Sequence, residues 1–311
     1  MRPMKIMGVL AGILLLVGLA VVVDPVGLAE AFSQVPPAHV AAALLIVQAQ
    51  VFLSAVRWRF TASRLGQVMP LWIAVREYYL AGVLNQVLPG GIAGDATRIY
   101  RNSDDRTGGW KRSATAVMLE RLSGQVAFLA LTCIGLLAWP LLLPGDLPAN
   151  APTGPLAIIT VIALVMAGVA IATAWLSARV RQRIDGLRTD LKAVFWTDGA
   201  AVVQAGLSVL VVGTYVLVFL LASDAVGARL PMVAAVTAVP LCLLSMLIPI
   251  GIGGWGTREA AAAALWPVFG FTGAQGLAAS LLYGLLSLAG AALPGLIILA
   301  WSMLRRSKTQ Q

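Results

Sequence analysis

An eleven-residue phrase is written twice in this chain. LPGGIAGDATR at Leu88–Arg98 returns, offset by 160 residues, as IPIGIGGWGTR at Ile248–Arg258. Six positions agree in register: Pro89/Pro249, Gly91/Gly251, Ile92/Ile252, Gly94/Gly254, Thr97/Thr257 and Arg98/Arg258. Each copy follows an apolar run, interrupts it with Pro and Gly, and resumes with Thr-Arg. Paired helix breaks of this kind mark half-helices that meet at a binding site near the middle of a bilayer.

The bilayer is required by composition. The chain is 59% hydrophobic and 11% charged, with a mean hydropathy of +0.89, where a soluble protein carries about 25% charged residues. Apolar runs approach the ~20 residues needed to cross a membrane. The fold class is therefore an all-α polytopic membrane protein. The net charge of +9 sits in short segments between apolar runs, the positive-inside pattern. Without a soluble basic domain, a nucleic-acid partner is excluded. Cys133 and Cys242 both fall inside apolar runs and read as small hydrophobes, and His39 stands alone, so no metal or other cofactor is expected.

Eight spans are expected: Ile6–Val23, Val40–Val56, Leu71–Leu88, Ala114–Trp139, Leu156–Leu176, Ala200–Ala222, Val233–Leu247 and Ala278–Met303. The first follows Arg2 and Lys5 and precedes Ala29-Glu30-Ala31, which resembles a signal-peptidase site. Its 18 apolar residues exceed the ~7–15 of a signal peptide, so an uncleaved helix is expected. Arg57, Arg59 and Arg64 mark an inside loop, as do Arg101–Arg112, Arg179–Lys192 and Arg305–Lys308; Asp24–Pro37 and Pro140–Pro155 lack Lys and Arg and belong outside.

Leu71–Leu88 leaves an inside loop, yet the next basic segment is inside again. The chain must turn back at Pro89–Gly94. By the same parity Val233–Leu247 runs inward and the short apolar helix Thr257–Phe269 returns outward. The two motifs thus sit on oppositely directed, broken or re-entrant hairpins, an inverted internal repeat. Residues 1–311 form one transmembrane domain, with repeat halves of roughly 35–140 and 195–303 and a short basic cytoplasmic tail at 304–311.

Thr97 and Thr257 are expected as N-caps of the restarted helices. A helix start offers free N–H groups and partial positive charge, and a neighbouring arginine adds a fork of donors. That combination suits a phosphate, and makes Arg98 and Arg258 the leading candidates for an anionic headgroup. Asp95 and Arg98 are spaced i, i+3 and can pair; adjacent Arg258 and Glu259 point about 100° apart and are expected to find different partners. Glu120-Arg121 is a charged island in an apolar helix, where an ionised group costs roughly 2.5–3.5 kcal/mol and implies a partner or a task. Asn85 and Gln86 lie one turn before the first break and are placed to satisfy its freed backbone groups. Trp58, Trp72, Tyr78 and Tyr79 are expected in an aromatic belt. The expected substrate-binding set is Asp95, Thr97, Arg98, Glu120, Arg121, Gly254, Thr257, Arg258 and Glu259.

Gly251–Gly256 matches G-x-G-x-x-G, but follows a membrane helix rather than a strand, which removes the dinucleotide reading. No P-loop, H-E-x-x-H or G-x-S-x-G occurs. Transport would therefore run downhill or on an ion gradient.

With these landmarks the chain resembles the transmembrane, flippase-like region of the lysylphosphatidylglycerol synthetase family, also called multiple peptide resistance factor. The matching residues are Leu88-Pro89-Gly90 with Gly94-Asp95-x-x-Arg98, Leu119-Glu120-Arg121, and Pro249-x-Gly251-x-Gly253-Gly254-x-Gly256-x-Arg258-Glu259. Asp95 departs from the Glu of many relatives but keeps the carboxylate. The resemblance implies a translocase for phospholipid or polyprenyl-phosphate lipids in the bacterial inner membrane, with both termini cytoplasmic and without synthetase activity. Two alternatives remain at this stage: a non-catalytic accessory subunit for a lipid-modifying enzyme, and a lipid-linked group transferase with Glu120 or Asp95 as base.

Overall fold

The computed structural model describes residues 25–88, 92–104, 108–138, 184–247 and 254–308. The expected spans Ile6–Val23 and Leu156–Leu176, and the Pro-Gly corners at 89–91 and 248–253, lie outside them. Every regular element among the described residues is helical: α1 (Pro25–Ser33), α2 (Pro37–Arg64), α3 (Leu71–Val87), α4 (Ala93–Arg101), α5 (Gly109–Leu137), α6 (Ile184–Phe195), α7 (Ala200–Ala225), α8 (Met232–Val236), α9 (Ala238–Ser245), α10 (Thr257–Leu265) and α11 (Gly273–Lys308). Four are long and apolar enough to cross a membrane: α2, α5, α7 with the 3₁₀ turn before it, and α11 over Gly273–Ile298. The chain is a multi-pass membrane protein.

The remaining described helices are shorter. The 17 residues of α3 extend about 25 Å at 1.5 Å each, and nine-residue α4 and α10 about 13 Å, against ~30 Å of hydrocarbon. These short helices form two hairpins, α3 with α4 and α9 with α10. The long helix α11 packs against both α3 and α10, as well as α2 and α7.

Local chemistry writes the two halves alike. Helix α2 ends where Gly66 takes φ +79°, with Gly66 N–H donating to Ser63 O (3.0 Å) and Gln67 N–H to Ala62 O (2.9 Å). Helix α7 ends the same way: Gly227 takes φ +77°, its N–H donates to Asp224 O (3.0 Å), and Ala228 N–H donates to Ser223 O (2.9 Å). This crossed pair of bonds is the Schellman cap, which needs a left-handed residue that glycine adopts without strain. Four residues after each glycine a proline in extended conformation, Pro70 or Pro231, starts the next helix.

Helices α8 and α9 are one run broken at Thr237 (φ −123°, ψ −73°). Pro240 has no N–H to return to the Val236 carbonyl, and a Cβ on Gly135 of α5 would lie 2.3 Å from that oxygen. The hairpin α3–α4 closes through a similar approach. A Cβ on Gly94 would stand 2.1 Å from the Ala81 carbonyl oxygen, so only glycine lets α4 lie this close to α3.

The Gly94→Ala substitution should force the two helices apart, costing about 1–3 kcal/mol as overpacking does. Thermal unfolding in detergent should register this, whereas Gly206→Ala in α7, which meets nothing within 4 Å, should be neutral or slightly stabilising.

Candidate functional site

A cavity of about 620 Å³ opens between the two hairpins. Its wall draws on α2 (Gln50, Ser54), α3 (Tyr78, Asn85, Gln86), α4 (Asp95, Arg98), α5 (Arg121, Gln125), α7 (Tyr215), and α9–α11 (Met246, Arg258, Tyr283). Both repeated arginines therefore face one chamber.

Each arginine is held in an aromatic clamp. The Arg98 guanidinium carbon lies 4.9 Å from the Trp58 ring centre and 4.7 Å from Tyr78; that of Arg258 lies 5.1 Å from Trp255 and 4.9 Å from Tyr283. A cation over an aromatic face gains about 0.5–2 kcal/mol, most when desolvated. Arg98 and Arg258 are 1% and 3% exposed, so these rings stand in for much of the lost hydration.

The charges behind Arg98 form a chain. Glu120, with no exposed surface, accepts from Arg57 Nε and Nη2 (3.2 and 2.7 Å), from Tyr78 Oη (2.8 Å) and from Arg98 Nη2 (3.0 Å). Asp95 accepts from Arg121 Nη2 (2.9 Å), and its Oδ1 lies 3.0 Å from Arg98 Nε. That last contact is ionic proximity rather than a hydrogen bond, because Nε is poorly aligned; it and Nη1 of Arg98 are buried without a hydrogen-bond partner. Behind Arg258 the arrangement is simpler. Glu259, also wholly buried, accepts from Arg258 Nε (3.0 Å) and from Ser280 Oγ (3.0 Å), while its other oxygen accepts from Gly256 N–H (2.6 Å).

Of the expected binding residues, Asp95, Arg98, Arg121, Gly254 and Arg258 reach the cavity wall. Glu120 and Glu259 do not; they sit behind the arginines as counter-ions. Neither threonine caps its helix. Thr97 is inside α4 and donates to Ala93 O (2.9 Å), while Thr257 is the first residue of α10 and bonds Gly254 O (3.3 Å). The two copies differ in backbone because Gly254 and Gly256 take φ +84° and +98°, a region closed to helix; Gly94-Asp95-Ala96 has no such residue, and helix begins before it.

Three of the N–H groups at these helix starts are taken by side chains. Asn85 Oδ1 accepts from Gly94 N–H (2.7 Å) and Asp95 N–H (3.4 Å), and Glu259 takes Gly256 N–H. The charged donors on the wall are guanidinium groups, those of Arg98, Arg121 and Arg258. Adjacent Arg258 and Glu259, expected to find different partners, bond each other, since the long arginine side chain folds back over the first turn.

Three further residues carry roles that composition did not announce. Arg57, expected in an inside loop, is 5% exposed within α2 and binds Glu120. Trp58 and Tyr78, expected in the belt, are the clamp on Arg98; Trp72 is 62% exposed, as a belt residue would be. The signal for Arg57 and Trp58 was that the 28-residue helix α2 runs on for about two turns beyond them before any loop residue. Among the described residues no group of three His, Cys, Asp or Glu is placed to hold a metal.

A helical membrane protein with two short helical hairpins flanking a cationic chamber of about 620 Å³ is the class defined here. The chain belongs to the family described as the lysylphosphatidylglycerol synthase TM region, which matches residues 9–295. No curated protein and no solved structure matches it.

Replacing Glu120 with Gln should leave Arg57 and Arg98 facing each other across a neutral amide. Removing one member of a buried charged set costs about 3–5 kcal/mol, read as a lowered melting temperature in detergent. Adding Arg57→Leu should recover part of that loss, since it removes the uncompensated charge; a double variant no better than the single would contradict the pairing.

Proposed function

We propose that this chain is a lipid translocase of the bacterial inner membrane, moving a phosphate-bearing lipid between leaflets without transforming it. The observation that carries the reading is the shared chamber: Arg98 and Arg258, from separate hairpins, both line it. Fixed guanidinium forks suit a phosphate, and membership of a lipid-linked family supports a lipid as its source. Acyl chains stay in the bilayer while the headgroup occupies the cavity.

The transport path is an inverted repeat of about eight crossings with both termini in the cytoplasm. Its support is the duplicated motif, the matching glycine caps and proline starts at Gly66/Pro70 and Gly227/Pro231, and the parity of the basic segments. Rocking one hairpin against the other around a fixed site would expose the arginines alternately to either side. A lipid-modifying enzyme is the natural partner, as source or consumer of the lipid.

One observation favours a second reading. Arg258 is already bonded to Glu259 and Ser280, as a purely structural arginine would be. In that case the chain would act as an accessory subunit and show no activity alone.

Purified protein in liposomes, assayed with fluorescent phosphatidylglycerol and a membrane-impermeant quencher, separates the two. The translocase reading expects flux that falls at least tenfold in both Arg98→Ala and Arg258→Ala, the loss of a charge-assisted contact being about 1.5–3 kcal/mol. Flux unaffected by either variant would sink it.

A further inference from the structure

The translocase reading leaves the headgroup open, and the charge count at the cavity narrows it. Four arginines (Arg57, Arg98, Arg121, Arg258) meet three carboxylates (Asp95, Glu120, Glu259). One positive charge is uncompensated. Each carboxylate is committed: Asp95 to Arg98 and Arg121, Glu120 to Arg57, Tyr78 and Arg98, Glu259 to Arg258, Ser280 and Gly256. Glu120 and Glu259 have no exposed surface and are absent from the wall, so the acid an incoming ammonium group would meet there is Asp95, already shared by Arg98 and Arg121.

Four buried polar atoms on wall residues lack hydrogen-bond partners: Nε and Nη1 of Arg98, Oε1 of Gln50 and Oγ of Ser287. Nη1 of Arg98 is a charged donor, and Oε1 of Gln50, a residue 7% exposed, is a neutral acceptor. The first calls for an anionic oxygen. The second calls for an O–H or N–H donor. Ser54, Gln86 and Gln125 add neutral polar groups to the wall beside Asp95, Arg121 and Arg258, the kind of lining that hydroxyl groups need.

Resting on that translocase reading, we infer that the substrate is a lipid whose phosphate carries an uncharged, hydroxylated group, of the phosphatidylglycerol type. It is selected against the aminoacylated form for which the family is named. The phosphate answers the surplus charge and Arg98 Nη1, and a headgroup hydroxyl donates to Gln50 Oε1. An aminoacyl ester brings one or two ammonium groups into a chamber whose net charge already repels them.

Short-chain phosphatidylglycerol, its lysyl ester, phosphatidic acid and glycerophosphoglycerol, each titrated calorimetrically into the detergent-purified protein, test this. Phosphatidylglycerol should bind roughly tenfold or more tightly than its lysyl ester, a modest fraction of the repulsion between close charges in a partly polar site. The Gln50→Leu variant should weaken phosphatidylglycerol several-fold and leave phosphatidic acid, which has no headgroup hydroxyl, unchanged. Equal or stronger binding of the lysyl ester overturns the inference while the translocase reading stands. Selective binding without movement in liposomes overturns the translocase reading while the selectivity stands. Equal affinity for glycerophosphoglycerol assigns the site to a soluble phosphate ester and overturns the lipid, and no binding by any of the four overturns both.

Discussion

A carboxylate sealed from water must be neutralised by protein, and Glu120 sets the terms for everything around it. The idealised cost of moving such an ion into a low-dielectric interior is of order 20 kcal/mol. Arg57 from α2, Tyr78 from α3 and Arg98 from α4 converge on it from three helices while it projects from a fourth, α5. The four helices therefore share one electrostatic constraint. None can slide by a turn without stranding a charge.

That constraint explains how so short a helix as α4 keeps a fixed place. Nine residues form a marginal helix in isolation, because nucleation is costly and few bonds follow it. Three contacts hold it: the Asn85 amide across its first turn, the close approach of Gly94 to Ala81, and the Arg98–Glu120 pair in its last turn. Helix α10 is fixed by other means. Glu259 closes its first turn, and a Cβ on Gly276 of α11 would stand 2.4 Å from the Ala262 carbonyl oxygen. Small residues at such crossings let membrane helices approach closely where no hydrophobic drive pulls them together.

Much of this was legible in the letters. The duplicated motif located both hairpins, the i, i+3 spacing gave the Asp95–Arg98 pair, and Asn85 was placed to serve the break it precedes. What was hidden shares a single cause: composition reports how polar a residue is, not which way its helix turns it. Arg57 read as a loop cation because it precedes Arg59 and Arg64, yet one face of α2 carries it inward to Glu120 while Arg59 bonds Met69 O (3.0 Å) near the helix end. Trp58 and Tyr78 read as belt aromatics because span ends are where such residues gather; the same aromatic bodies serve equally as cation clamps. The threonines failed as caps for a different reason. Identical letters at Thr97 and Thr257 sit behind different dihedrals, and the glycines at 254 and 256 delay the second helix by several residues.

This difference in backbone carries into the charge. Arg98 comes in the sixth position of α4, so its guanidinium reaches across to a carboxylate on another helix and must share it with Arg57. Arg258 comes in the second position of α10, where its own neighbour Glu259 is within reach. The cluster around Arg98 consequently holds three arginines (Arg57, Arg98, Arg121) against two acids (Asp95, Glu120), and the one at Arg258 holds one against one. The surplus charge thus lies wholly on the Arg98 side of the chamber. An anion entering the chamber completes the balance on the Arg98 side without disturbing the Arg258 pair, whereas binding at Arg258 first would have to compete with Glu259. The recurring motif brings two arginines to one cavity, and unequal pairing makes Arg98 the one with a bond still to form.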